Sequence, residues 1–117
     1  MVEITKINDV IWKIEKEGKM FVPIFIFASE PLLEKMKQDS TLQQAQNMAM
    51  VPGVVKNVIV CPDAHQWYGA CIGGVYAYDF EEGIVSPGQV GYDINCGVRL
   101  VVTNLKREDI EAKKKEL

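Results

Sequence analysis

Val58-Ile59-Val60 is a short, fully apolar, β-branched run. Three such residues in succession read as a buried strand, because an exposed strand would alternate apolar with polar positions. A buried strand needs neighbours on both edges and a covering layer, so it commits the chain to a sheet packed against helices. It also delivers the next five residues, Cys61-Pro62-Asp63-Ala64-His65, as a loop at the sheet edge, where sites tend to form. Glycine use changes at the same point: the 40 residues after Val60 hold seven of the nine glycines.

The remaining elements fit that frame. Val10, Trp12 and Ile14 alternate with polar Lys13 and Glu15, the pattern of a half-buried strand. Glu17-Gly18-Lys19 turns the chain into Phe21 to Ala28, an aromatic-rich strand that Pro23 assigns to an edge or to its own start. Ser29 is placed to cap a helix carrying Leu32, Leu33 and Met36 on one face. Ser40 opens a second helix, Thr41 to Met50, whose buried stripe is Leu42, Ala45, Ala49 and Met48. Val75 to Asp79 alternates as a further strand, Glu81-Glu82-Gly83 turns it into Ile84-Val85, and Val98 to Val102 forms the last strand. Lys106 to Leu117 reads as a helix, with Leu105 and Ile110 spaced as a hydrophobic staple. The expected fold is α/β or α+β: one domain over 1–117, a mixed sheet with short helices. No internal repeat or low-complexity stretch interrupts it.

Charge and composition narrow the function. With 117 residues, 13 Lys and Arg against 16 Asp and Glu, the net charge is −3. Non-specific nucleic-acid binding through bulk charge is excluded, since that requires basic side chains to neutralise phosphates. A local basic groove, or a bound cation, stays available. No apolar run approaches the roughly 18 residues that span a bilayer, and Met1 to Lys16 lacks a signal-peptide core. A cytoplasmic protein with no membrane partner is expected. Cys61, Cys71 and Cys96 are odd in number and form no CxxC pair, so each reads as core filler, reactive thiol or metal ligand.

Three segments carry chemistry. Gly91-Tyr92-Asp93-Ile94-Asn95-Cys96-Gly97 places an Asp and a Cys three residues apart between glycines. The turn can aim a carboxylate and a thiolate at one point, and oxygen with sulfur suits manganese or zinc. The alternative on spacing alone is a structural cysteine in a Gly-rich turn. Pro62-Asp63-Ala64-His65-Gln66 holds the only histidine, which can serve as ligand, general base or phosphate donor, or be satisfied locally. Asp63 can equally brace its own turn. Gly69, Gly73 and Gly74 surround Cys71 and Ile72, but no GxGxxG or GK[ST] is present, so close strand packing is the better reading.

Taken in order, Pro-Asp-x-His-Gln, Tyr-Gly, Ile-Gly-Gly-Val, Ile-Val-Ser-Pro-Gly and Gly-Tyr-Asp-Ile-Asn-Cys-Gly-Val-Arg-Leu resemble the N-terminal part of the RtcB-type RNA ligases. Val51-Pro52-Gly53-Val54 and Leu32-Leu33-Glu34-Lys35-Met36 look like that family's archaeal members. The resemblance covers essentially the whole chain, and Val90 to Leu100 is its most specific part. It implies a GTP- and manganese-dependent enzyme joining RNA 2′,3′-cyclic phosphate or 3′-phosphate ends to 5′-hydroxyl ends, in tRNA splicing and RNA repair. It implies further that Asp93 and Cys96 are metal ligands, Cys96 bridging two manganese ions. Asp63 then orients a guanylylated histidine, and His65, Gln66 and Asn95 belong to the site loops. Zinc is the other metal that an incomplete site of this kind would take.

Two departures qualify the match. The family's ligand histidines and its GMP-accepting histidine lie beyond position 117, so the chain alone should not ligate RNA. Trp67 stands where the family has a small residue, and Cys71 adds a thiol beside the site. The chain also stops inside its last helix without a C-cap, as a cut would leave it, the alternative being a frayed terminal helix. A fragment, one piece of an interrupted gene and a free-standing truncated paralogue all fit that length. The expected partners are RNA ends, the missing C-terminal part or a second chain, and a further copy of itself through the apolar strands Phe21 to Ala28 and Val98 to Val102. The rival from another class is a non-catalytic module binding metal or a partner.

Overall fold

The computed structural model describes residues 3–92 and 94–116. Five strands form one mixed sheet in the order β1-β2-β3-β4-β5: Ile4–Lys6, Ile11–Ile14, Ile24–Phe27, Val58–His65 and Ile72–Val75. Neighbours are antiparallel except β3 and β4, which run parallel. A parallel pair needs a long crossover, and here it carries α1 (Glu30–Met36) and α2 (Thr41–Ala49). A 3₁₀ turn at Pro87–Gln89 and a short helix α3 (Arg107–Glu111) come after the sheet. This is the mixed-sheet α+β fold expected from the sequence.

Registration explains which face is buried. Ile14 pairs with Ile24 and Ile24 with Val58, while Trp12 pairs with Ile26 and Ile26 with Val60. Two apolar rows therefore cross three strands on one face, and all six side chains are buried. Leu33 and Met36 from α1, with Leu42, Ala45 and Ala49 from α2, complete the cluster over them. The opposite face is only partly covered: Ile59 is half-buried, so β4 is packed from one side rather than enclosed. Lys13 instead lays its ammonium 5.6 Å from the centre of the Phe25 ring on that face.

Trp12 closes one end of the core, and its indole N–H donates to the Ala28 carbonyl at 2.9 Å. Trp12→Phe keeps most of the apolar contact but leaves that carbonyl without its donor. The expected loss is about 1–2 kcal/mol, read by urea unfolding; unchanged stability would contradict the assigned role.

Several elements differ from the sequence reading. The segment Phe21 to Ala28 is strand only from Ile24, and β3 lies inside the sheet between β2 and β4. It is not an exposed edge; the outer strands are β1, which the sequence reading missed, and β5. The Cys61 to His65 loop is instead a continuation of β4, with a register irregularity between Val60 and His65. The strand placed at Val75 to Asp79 lies earlier, at Ile72–Val75, and only Tyr78 makes a further isolated bridge, to Val54. Ser29 has the extended backbone of an N-cap, but its hydroxyl makes no capping bond.

The last strand, Val98 to Val102, does not form: these residues have no strand assignment. Val98 and Leu100 are more than nine-tenths exposed. The final helix is shorter than Lys106 to Leu117, ending at Glu111, and Leu117 itself lies outside the described residues. Its start is firmer, because the Lys106 N–H donates to the Asp109 carboxylate at 2.9 Å. Among the described residues no helix is long and apolar enough to cross a membrane.

Candidate functional site

The site residues on β4 are set by a glycine on its neighbour. Gly73 has φ +70°, a left-handed conformation, and an added Cβ there would sit 2.9 Å from the Asp63 Oδ1 and 2.9 Å from the Ala64 Cα. Glycine therefore lets β5 approach the irregular part of β4 and leaves space for the Asp63 carboxylate. Beyond the irregularity His65 pairs with Ile72. Asp63 and His65 thus share the exposed end of one strand.

His65 Nδ1 lies 3.1 Å from the Gln66 carbonyl oxygen. In the tautomer protonated on Nδ1 the ring donates there and keeps Nε2 as a base or ligand atom. The chain leaving His65 is held by the helices. Ser40 N–H donates to Gln66 Oε1 at 3.1 Å, and the Gln66 N–H points to Asp39 Oδ2 at 3.5 Å. Asp39 also accepts from the Thr41 N–H at 2.8 Å and from the Thr41 hydroxyl.

Partial burial alone would raise the Asp39 pKa, but the Thr41 and Gln66 donors and the nearby His65 charge outweigh it and hold the carboxyl below its usual range. The stabilisation this gives is present above the ordinary carboxylate pKa and fades as pH falls through the depressed folded value. Asp39 and Gln44 did not emerge from the sequence as site residues. A polar Gln within the buried face of α2 was the one available signal.

Gly91-Tyr92 leads into the second motif. An ideal Cβ on Gly91 would touch the Ile72 side chain at 3.8 Å, so this segment passes the strand partner of His65. Tyr78 donates to the Gln89 side chain at 2.9 Å and ties the preceding turn to the sheet. Asn95 and Cys96 come next with φ of 77° and 40°. Asn tolerates that region, while for Cys it costs about 1–2 kcal/mol. Two successive left-handed residues make a tight loop that presents an exposed Cys96.

Asp93 lies outside the described residues, so its geometry toward Cys96 is not part of the structure. Among the described residues no group of three or more His, Cys, Asp or Glu side chains is placed to hold a metal ion. Cys96 with Asp93 provides donors of the right kind for manganese or zinc, and two donors do not close a coordination sphere.

Cys71 does not compete for that role. It is buried in the core cluster. Burial raises its thiol pKa, an effect that the contact with the Tyr76 hydroxyl at 3.2 Å only partly offsets. A protonated, enclosed thiol is a poor ligand and nucleophile.

The family profile described as "tRNA-splicing ligase RtcB" matches residues 44–117. Among curated proteins, the tRNA-splicing ligase RtcB of Thermococcus kodakarensis is 54% identical over 118 residues, covering 100% of this chain and 24% of its own length. That of Pyrobaculum aerophilum is also 54% identical, over 99% of the chain and 24% of its own length. The Methanococcus maripaludis protein is 45% identical over 97% of the chain and 24% of its own length. The chain thus spans about a quarter of the length of these relatives. With the profile covering Gln44 to Leu117 and more than half of the residues identical to the Thermococcus kodakarensis protein along the whole chain, the chain belongs to the RtcB family of tRNA-splicing ligases.

Proposed function

We propose that this chain supplies the N-terminal part of an RNA-joining active site. In this reading the complete enzyme uses GTP and manganese to join 2′,3′-cyclic phosphate or 3′-phosphate RNA ends to 5′-hydroxyl ends, in cytoplasmic tRNA splicing and RNA repair. The observation that carries the reading is 54% identity to an RtcB ligase along the whole chain. Asp93 and Cys96 are the metal donors, with histidines from further family sequence completing the sphere. Paired divalent ions, when bound, would neutralise phosphate charge at the reacting end. Asp63 orients the histidine that carries GMP, while His65, Gln66 and Asn95 border the RNA ends. The rest of the family's length acts with it, in one chain or as a second chain. Exposed Val98, Leu100 and Val102 support a covering partner of that kind.

Two measurements test this. Manganese or zinc titration should show weak binding by the chain, and weaker still by Cys96→Ser, because affinity follows ligand count and preorganisation. Equal binding by both would remove Cys96 from the metal site. Incubation with labelled GTP and manganese should leave the isolated chain unlabelled, since its single histidine sits in a segment unlike the family's acceptor. Covalent GMP that disappears in His65→Ala would overturn that assignment.

A second reading rests on the same single histidine: a non-catalytic module that retains the fold and binds metal or a partner protein. RNA joining on reunion with the missing histidine set separates the two.

A further inference from the structure

Gln44 is a buried polar residue on α2, 8 % exposed, in a helix whose other buried residues are the core side chains Leu42, Ala45 and Ala49 and Thr41 at its start, which donates to Asp39. A buried amide is costly unless both its ends are hydrogen-bonded. Both are: its Nε2 donates to the Trp67 carbonyl, and its Oε1 accepts from the Trp67 N–H at 2.9 Å. The side chain grips the backbone of one residue from both sides, as a neighbouring strand would. Because the bonds go to the backbone, they hold position 67 whatever side chain stands there. This accounts for a tryptophan being accommodated, with its ring about one-third exposed and edge-on to Tyr68 at 4.9 Å.

The junction between α1 and α2 adds two more contacts to the same loop, Ser40 to the Gln66 side chain and Asp39 to the Gln66 N–H. Everything beyond His65 up to Trp67 is thereby referenced to α2. The helix, packed on β3 and β4, fixes the loop relative to the strand that bears Asp63.

We propose that Gln44 is a positioning residue, which locks the His65–Trp67 loop to α2 and so sets where His65 and Gln66 stand relative to Asp63. That this loop meets RNA ends rests on the function proposed above. The anchoring does not, and its test therefore reads the loop and not RNA joining. Failure here would leave the ligase reading in place, and failure of the metal titration would leave the anchoring in place.

The test uses Gln44→Met, which keeps the buried volume and helix preference but removes both hydrogen bonds, with Gln44→Ala as a second variant. Gln43→Ala on the same helix is the control, because its side chain bonds only to Asn47. Amide hydrogen exchange is measured residue by residue, and the ring-proton chemical shift of the only histidine is recorded at one fixed pH. In Gln44→Met the Trp67 amide should exchange about tenfold faster or more, the equivalent of losing about 1.4 kcal/mol of local protection. The His65 resonance should shift as its distance to Asp39 changes, while the amides of β2 and β3 keep their protection. Gln43→Ala should alter neither signal. Unchanged Trp67 exchange and an unchanged His65 ring-proton shift in a folded Gln44→Met protein would overturn the proposal. So would exchange that rises equally across sheet and loop in both Gln44 variants, since that marks a purely structural residue.

Discussion

Gly73→Ala is expected to destabilise the chain by about 2–6 kcal/mol, combining left-handed strain of about 1–3 kcal/mol with overpacking of similar size. The φ of +70° disfavours any side chain, and the new Cβ would meet backbone atoms of Ala64 at 2.9 and 3.0 Å. Backbone cannot step aside as the end of a long side chain can. The same Cβ falls 2.9 Å from the Asp63 carboxylate, so relief on that side would displace a residue that the proposed function uses. Urea unfolding should show a lower midpoint with an unchanged slope. A loss below roughly 0.5 kcal/mol, the range of an ordinary surface substitution, would mean that the close approach of β5 to β4 is not what fixes this part of the sheet.

Ile26→Ala is expected to be among the most destabilising of the core truncations. Ile26 is fully buried and stands in register with Trp12 on one side and Val60 on the other. Truncation removes contacts to both neighbouring strands and leaves a cavity beneath the helices, at a cost of about 2–5 kcal/mol. Against a total stability of about 5–15 kcal/mol for an ordinary domain, that is a large share. The melting temperature should fall by roughly 10 °C or more. Val85→Ala, at a side chain 95% exposed, should change stability by less than about 0.5 kcal/mol. Similar losses for the two would contradict the one-sided core described for this sheet.

The parts of the fold that could be read from sequence were those whose local pattern and tertiary role agree. Trp12 and Ile14 alternate because β2 has one buried face, and Leu33 with Met36 marks the face of α1 that meets the sheet. β5 was misplaced because the alternation of Val75 to Asp79 carried the strand pattern, whereas Gly73 and Gly74, read as allowing close strand packing, are themselves strand residues. In the fold Gly73 supplies a left-handed bend. Gly74 lies so close beneath the Tyr76 hydroxyl that a Cβ would overlap it, and aromatic cover replaces the missing side chain. β1 is three residues long, with only Ile4 partly buried, and such a strand leaves little pattern. Val98 to Val102 shows the opposite failure: strong β propensity without a pairing partner among the described residues.

The site divides in the same way. Asp63, His65 and Gln66 were recognisable as a cluster along the chain; the fold puts Asp63 and His65 on the end of β4 and Gln66 just beyond it. Asp39 and Gln44 act across 27 and 23 positions of sequence, a relation that no local spacing encodes. The pairing of Asp93 with Cys96 rests on motif resemblance, because Asp93 lies outside the described residues.

The most direct test of the central claim grafts this chain in place of the matching quarter of the Thermococcus kodakarensis ligase, which restores the remaining family sequence. The chimera is given RNA with a 2′,3′-cyclic phosphate or 3′-phosphate end, a 5′-hydroxyl partner, GTP and manganese. It should join the RNA, and Cys96→Ser should lower the rate by about 100-fold or more, the upper range for disturbing a metal shell. A folded chimera that joins no RNA, or one whose Cys96→Ser variant joins as fast as its parent, would contradict the account.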